Sequence, residues 1–134
     1  MLQISAGGFE FVARLEDEAP ATVAAFRKRL PYDEKIIHVR WSGEGCWIPM
    51  GDADLGIGPE NATRYPSPGE LIIFPGGVSE AELLLAYGYV AFASKAGALA
   101  GNHFATMVEG KENLRDLGKR MLWEGAQEIV FTER

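Results

Sequence analysis

Apolar and polar positions alternate along this chain in short blocks, and the period of each block names an element. In "FEFVARL", Phe9, Phe11, Ala13 and Leu15 share one face while Glu10 and Arg14 point the other way. That period of two belongs to a half-buried strand. A Gly7-Gly8 turn leads into it from a shorter strand carrying Leu2 and Ile4. The period then changes. In "EDEAPATVAAFRKRL", Val23, Phe26 and Leu30 fall at i, i+3 and i+7, one face of a helix. Pro20 suits its first turn, the preceding acids suit its positive end, and Pro31 stops it.

The period of two returns in "HVRWSGEGCWIPM", residues 38–50. With Gly43-Glu44 as a two-residue turn, Trp41 stands opposite Cys46, Arg40 opposite Trp47 and Val39 opposite Ile48. Ile37, Val39, Trp41, Cys46, Ile48 and Met50 then form a continuous apolar face, while His38, Arg40 and Trp47 share the other. A Gly- and Pro-rich stretch at 51–70 is long for a connection inside a compact domain. Beyond it the pattern predicts a strand at Leu71–Phe74, one over Leu83–Ala86, another in "YVAFAS", a "GALAGN" loop, and a strand in "HFATMV" with Phe104, Thr106 and Val108 on one face. Asn113 caps a helix that buries Leu114, Leu117 and Met121, and "QEIVFT" is the last strand. Seven or eight strands with one early and one late helix make this a mainly β fold, an antiparallel barrel or sandwich with covering helices.

Length and charge narrow the partners. A chain of 134 residues forms one domain, 1–134, large enough to need no disulfide or metal. Its net charge of −6, with no basic run, argues against nucleic acid and anionic membranes, which require clustered Lys and Arg. The longest apolar stretch, Leu83–Ser94, is too short to span a bilayer. With a lone cysteine and no secretory start, the expected location is the cytoplasm.

Two stretches resemble the cyclophilins. "VARLEDEAPATVAAF" is similar to their opening strand, acidic residues and Phe-bearing first helix, and "HFATMVEGKENLRDL" to their late strand running through Val-x-x-Gly into the second helix. The short spacing between them is similar to that of minimal cyclophilin-like barrels of bacteria. With "VRWSGEGCWIPM", "ENATRYPSPGE", "FPGGVSEAE" and "AGNHF" the chain resembles one such family of uncharacterised proteins, a domain of unknown function. The resemblance implies a cyclophilin-like closed antiparallel β-barrel with two short helices, and peptidyl-prolyl isomerase activity on proline peptides. In that chemistry an arginine donates to the proline nitrogen, a role Arg40 would take; a Ser-Gly-Glu-Gly turn stands where cyclophilins carry a phenylalanine and a glutamine.

The residues themselves offer a few candidates for chemistry. Arg40 and Trp47 are either a solvated cross-strand pair or a binding patch in which the guanidinium forks a carboxylate. His38 and His103 are the only histidines, and His103, at the head of a strand after a Gly-Asn loop, suits a barrel mouth. Tyr65, Tyr87 and Asn102 are further polar groups for a pocket. Cys46, on the apolar face with no histidine beside it, is a small hydrophobe. No spacing holds a metal, no loop cradles phosphate, and no cofactor is implied.

The leading expectation is a barrel binding a small anionic molecule. Arg40 anchors its carboxylate, Trp47 with Tyr65 or Tyr87 forms the walls, and His38, Asn102 and His103 provide polar groups, with His103 as the catalytic acid–base candidate. The alternatives are the prolyl isomerase and a protein-interaction module in which an exposed Trp47 meets another chain, a homo-oligomer included.

Overall fold

A computed structural model describes all residues from Met1 to Arg134. Eleven strands are present: β1 (Leu2–Ala6), β2 (Phe9–Leu15), β3 (Tyr32–His38), β4 (Gly43–Gly51), β5 (Ala62–Thr63), β6 (Glu70–Phe74), β7 (Ala81–Val90), β8 (Ala93–Ser94), β9 (Gly97–Ala98), β10 (Gly101–Glu109) and β11 (Gln127–Glu133). Two helices, α1 (Pro20–Arg27) and α2 (Leu114–Glu124), complete the chain. Eight strands run β2-β1-β11-β3-β4-β7-β6-β10, and β2 pairs back onto β10, so the sheet closes. Every pairing is antiparallel. The mainly β expectation therefore resolves to a closed eight-stranded antiparallel barrel with two short helices. Closure removes the exposed edges that an open sandwich would leave.

The predicted alternation accounts for most of the interior. Ile4, Phe11, Ala13, Ile129 and Phe131 line the barrel and are buried. Helix α1 closes one end by inserting Phe26, whose ring lies 5.0 Å from Phe104 and 5.1 Å from Phe131. Burying such a ring contributes about 2–3 kcal/mol. Helix α2 closes the other end with Leu114, Leu117 and Met121, as its spacing predicts. Gly118 brings α2 close to the barrel, since a Cβ there would stand 2.4 Å from the Tyr87 ring.

Three local expectations change. First, the strands expected at Leu83–Ala86 and "YVAFAS" begin as one ten-residue strand, β7, which runs through Gly88. Glycine is required there because the Glu44 carboxylate lies where a Cβ would be. "GALAGN" contributes to a small β8–β9 hairpin rather than an open loop. Second, bulges in β10 at His103/Ala105 and Met107/Glu109 break its alternation, so Phe104 is buried while Val108 is exposed. Third, the β3–β4 register is displaced. Ile37 faces Trp47 and His38 faces Cys46, because residues 39–42 form a longer connection than a two-residue turn.

That displacement is odd in number, so it exchanges the faces of β3. Ile36 is buried and Ile37 exposed, and Trp41 leaves the core for solvent, 58% exposed. The physical cause is distant in sequence. The Ser42 hydroxyl donates to the Ala93 carbonyl and accepts from the Ala93 amide, both at 3.0 Å. The Ala91 amide also donates to the Ser42 carbonyl. A strand continued from β3 through Trp41 would forfeit these bonds.

β7 is buried on both faces. Leu83, Leu85 and Tyr87 point into the barrel. Leu84, Ala86 and Val90 point outward into a second, smaller core with Ile72, Phe92 and Leu99, roofed by the segment at 91–100.

Candidate functional site

The outward face of β4 and β7 does not stay apolar to its end. Trp47 stands opposite Leu84, and Pro49 opposite Glu82, so Trp47 and Glu82 share this face just beyond the small core. Between the 39–42 connection, the 79–80 turn and the β8–β9 turn they floor a cavity of about 270 Å³. Arg40 and Trp41 form one lip, Ser79 and Glu80 a second, and Ser94 and Lys95 a third. The same Ser42–Ala93 bonds that fix the register hold two of these lips together.

The charges of this cavity are left open. Arg40 and Lys95 belong to none of the protein's ion pairs. Glu82 is only 6% exposed. Burial, with a smaller contribution from the neighbouring Glu80 charge, pushes its carboxyl up to about 7. No hydrogen bond in the chain offsets that, so what exposure the carboxylate keeps opens onto the cavity. Glu80 itself accepts from the Gly51 amide at 3.1 Å.

The predicted site residues are dispersed. Arg40 and Trp47 do line one cavity, but they are not register partners and make no cation–π stack, because the longer connection carries Arg40 off the strand. His38 lies inside the barrel under α2, opposite Cys46. Its Nδ1 sits 2.9 Å from the Val39 carbonyl and its Nε2 2.8 Å from the Tyr87 hydroxyl. A carbonyl only accepts, so Nδ1 carries the proton, and in the neutral ring the Tyr87 hydroxyl donates to Nε2. Tyr87 is thus an interior residue rather than a pocket wall. Cys46 does have a histidine on its face, contrary to the sequence reading, yet burial holds its thiol far above the usual range. It behaves as the small hydrophobe expected.

Asn102 is 1% exposed and fully committed. Its Nδ2 donates to the Thr22 hydroxyl and the Gly58 carbonyl at 3.0 Å, and its Oδ1 accepts from the Glu60 amide at 3.1 Å. The Glu60 carboxylate in turn accepts from the Thr22 amide and hydroxyl at 2.6 and 2.7 Å, closing the first turn of α1. This network pegs the 51–70 segment to the barrel and leaves no polar rim at Asn102. Tyr65 projects from that segment, 59% exposed, with only Arg64 over its ring.

His103 lies on β10, three places from β4 in the sheet order, and does not line the cavity. Its Nε2 is 2.7 Å from the Thr106 hydroxyl, which donates to Glu16 at 2.7 Å. Glu70 stands 3.8 Å away. With the hydroxyl proton committed to Glu16, His103 donates to Thr106 and does not withdraw its proton. Burial acts to raise the Glu16 carboxyl, but hydrogen bonds from Thr106 and Arg14 with the charges of Arg14 and His103 prevail and hold it below its ordinary value.

A protein family described as "Protein of unknown function (DUF3830)" matches residues 2–133. The chain belongs to this family. No curated protein matches it. Among solved structures, this DUF3830 protein is similar to the structure of McbB in complex with tryptophan, at 19% sequence identity and a TM-score of 0.74. The likeness covers 100% of this chain and 45% of that one, so the DUF3830 chain spans less than half of McbB. At that identity the two share the barrel. No helix of the DUF3830 protein is long and apolar enough to cross a membrane.

Among the cavity residues that sequence reasoning missed, the aromatic and charged ones are Trp41, Glu80, Glu82 and Lys95. Only Glu82 left a signal. In "AELLLAYG" it is a single charge inside an otherwise uncharged run, and a charge buried in a strand without a partner is costly.

Proposed function

We propose that this protein binds a small carboxylate-bearing molecule in the outer-face cavity, with Arg40 as the anchor. The observation that carries this is the pair of cations, Arg40 and Lys95, left without partners beside two indoles in one cavity. An arginine fork matches a carboxylate bidentately, and Trp41 and Trp47 supply apolar walls for the rest of the ligand. A small-molecule reading is in keeping with McbB, a structural neighbour solved in complex with tryptophan. His103 lies apart from this cavity, so the proposal gives it no contact with the ligand. Trp47 is half-buried in the cavity floor, which withdraws it as an exposed docking residue.

A thermal-shift screen of small carboxylates and proline peptides tests the reading, because a ligand of the folded state raises the melting temperature by mass action. The expected result is a carboxylate whose affinity falls by about tenfold or more in Arg40→Ala. An equal shift in that variant would remove the anchor. A response to proline peptides alone would instead favour the isomerase.

A further inference from the structure

The cavity holds both signs of charge, and the two signs do not neutralise each other. Glu82, at the β7 end of the floor, is more than nine-tenths buried and aimed into the space. No hydrogen bond or ion pair of the chain satisfies it. The groups facing it can be named element by element. Its strand partners are Pro49 on β4 and Phe74 on β6, which carry no charge. Glu80 comes from the preceding turn, Arg40 from the 39–42 connection and Lys95 from the β8–β9 turn. Of these only Glu80 acts on Glu82, and it is of the same sign. Neither Arg40 nor Lys95 pairs with it.

A buried carboxylate without a cation, beside the exposed Glu80 and across a cavity from two cations without an anion, offers a ligand one seat of each sign. We infer that the ligand is an aromatic α-amino acid or a close derivative: its ammonium seats on Glu82 beside Glu80, its carboxylate takes Arg40, and its ring lies between Trp41 and Trp47. This rests on the reading above that Arg40 anchors a carboxylate, and it adds the amine. A carboxylate alone leaves Glu82 uncompensated, whereas a zwitterion satisfies both ends in one binding event.

Three probes of one ring size separate the claims: L-phenylalanine, 3-phenylpropionate without the amine, and phenethylamine without the acid. Calorimetry at pH 8 is expected to show L-phenylalanine binding about tenfold or more tightly than either. In Glu82→Gln its advantage over 3-phenylpropionate should collapse to about one. In Arg40→Ala both carboxylate probes should weaken while phenethylamine is unchanged.

The pH profile provides a second readout. Seating an ammonium requires ionised Glu82, so L-phenylalanine binding should strengthen from pH 6 to 8 and release protons, whereas 3-phenylpropionate binding should weaken. Equal affinity for L-phenylalanine and 3-phenylpropionate, both weakened by Arg40→Ala, would overturn the amine seat and leave the anchor standing. Phenethylamine binding as tightly as L-phenylalanine would overturn the anchor. Absence of binding by all three would overturn both.

Discussion

Asn102 and Glu82 are both polar side chains driven into this barrel's wall, 1% and 6% exposed, and the chain treats them oppositely. Asn102 makes three hydrogen bonds at 3.0–3.1 Å and joins three separate segments. Glu82 makes none and sits beside a second carboxylate. A buried polar group that is fully bonded specifies structure; one left unbonded costs stability, and a chain retains it where something outside the chain completes it. The contrast separates a residue that holds the fold from one left free to meet what enters the cavity, although a sequence presents both as polar letters in apolar surroundings.

Substitution should expose the difference. The largest effect is expected from Asn102→Ala, which strands the Glu60 amide, the Gly58 carbonyl and the bond to Thr22. A loss of about 3–4 kcal/mol in urea unfolding is expected. A loss below about 0.5 kcal/mol would show that the peg is dispensable and would break the contrast.

Glu82→Gln should act in the opposite direction, and only at high enough pH. The native carboxyl holds its proton up to about 7 against an ordinary 4.5, so between those values the folded state binds more protons and stability falls as pH rises. Below that window the variant and the parent should match. Above it the variant should be more stable by on the order of 3 kcal/mol, seen as a melting temperature several degrees higher at pH 8. A difference that does not depend on pH would contradict burial as the cause.

The smallest effect is expected from Arg40→Ala. Its side chain is exposed and without partners in the chain, so stability should move by less than about 0.5 kcal/mol while carboxylate affinity falls by about tenfold or more. A large loss of stability would mean that Arg40 supports the fold.

The barrel was legible in the sequence to the extent that its elements are local. "FEFVARL", the Val23–Phe26 face and the Leu114–Leu117–Met121 stripe carry their own periods and formed where predicted, although α1 ends at Arg27, short of the Leu30 expected on its face. The site was less legible because its geometry is set from far away. Gly43-Glu44 reads as a tight turn until Ser42 meets Ala93, 51 residues on, and that contact moves Trp41 out of the core and turns a half-buried His38 toward Cys46 and Tyr87. Arg40 and Trp47 both line the cavity, although the register shift removes the cross-strand pairing that the sequence suggested. Lys95 and Glu80 were missed because nothing near them in sequence marks a cavity. Asn102 was misassigned for the same reason: its partners at Thr22, Gly58 and Glu60 lie 42 to 80 residues away.

The two-sided burial of β7 carries a further consequence. Its central amides are paired with β4 and β6 and sealed by one core on each side. Such amides exchange with deuterium only when the whole barrel opens, so the slowest-exchanging strand of the molecule should be the one that carries Glu82. The rim is built differently, from connections at 39–42, 79–80 and 93–95 that cross no strand of the barrel. With a stiff foundation under a loop-built rim, substitutions in the rim can reshape the cavity while leaving the protected amides of β7 undisturbed.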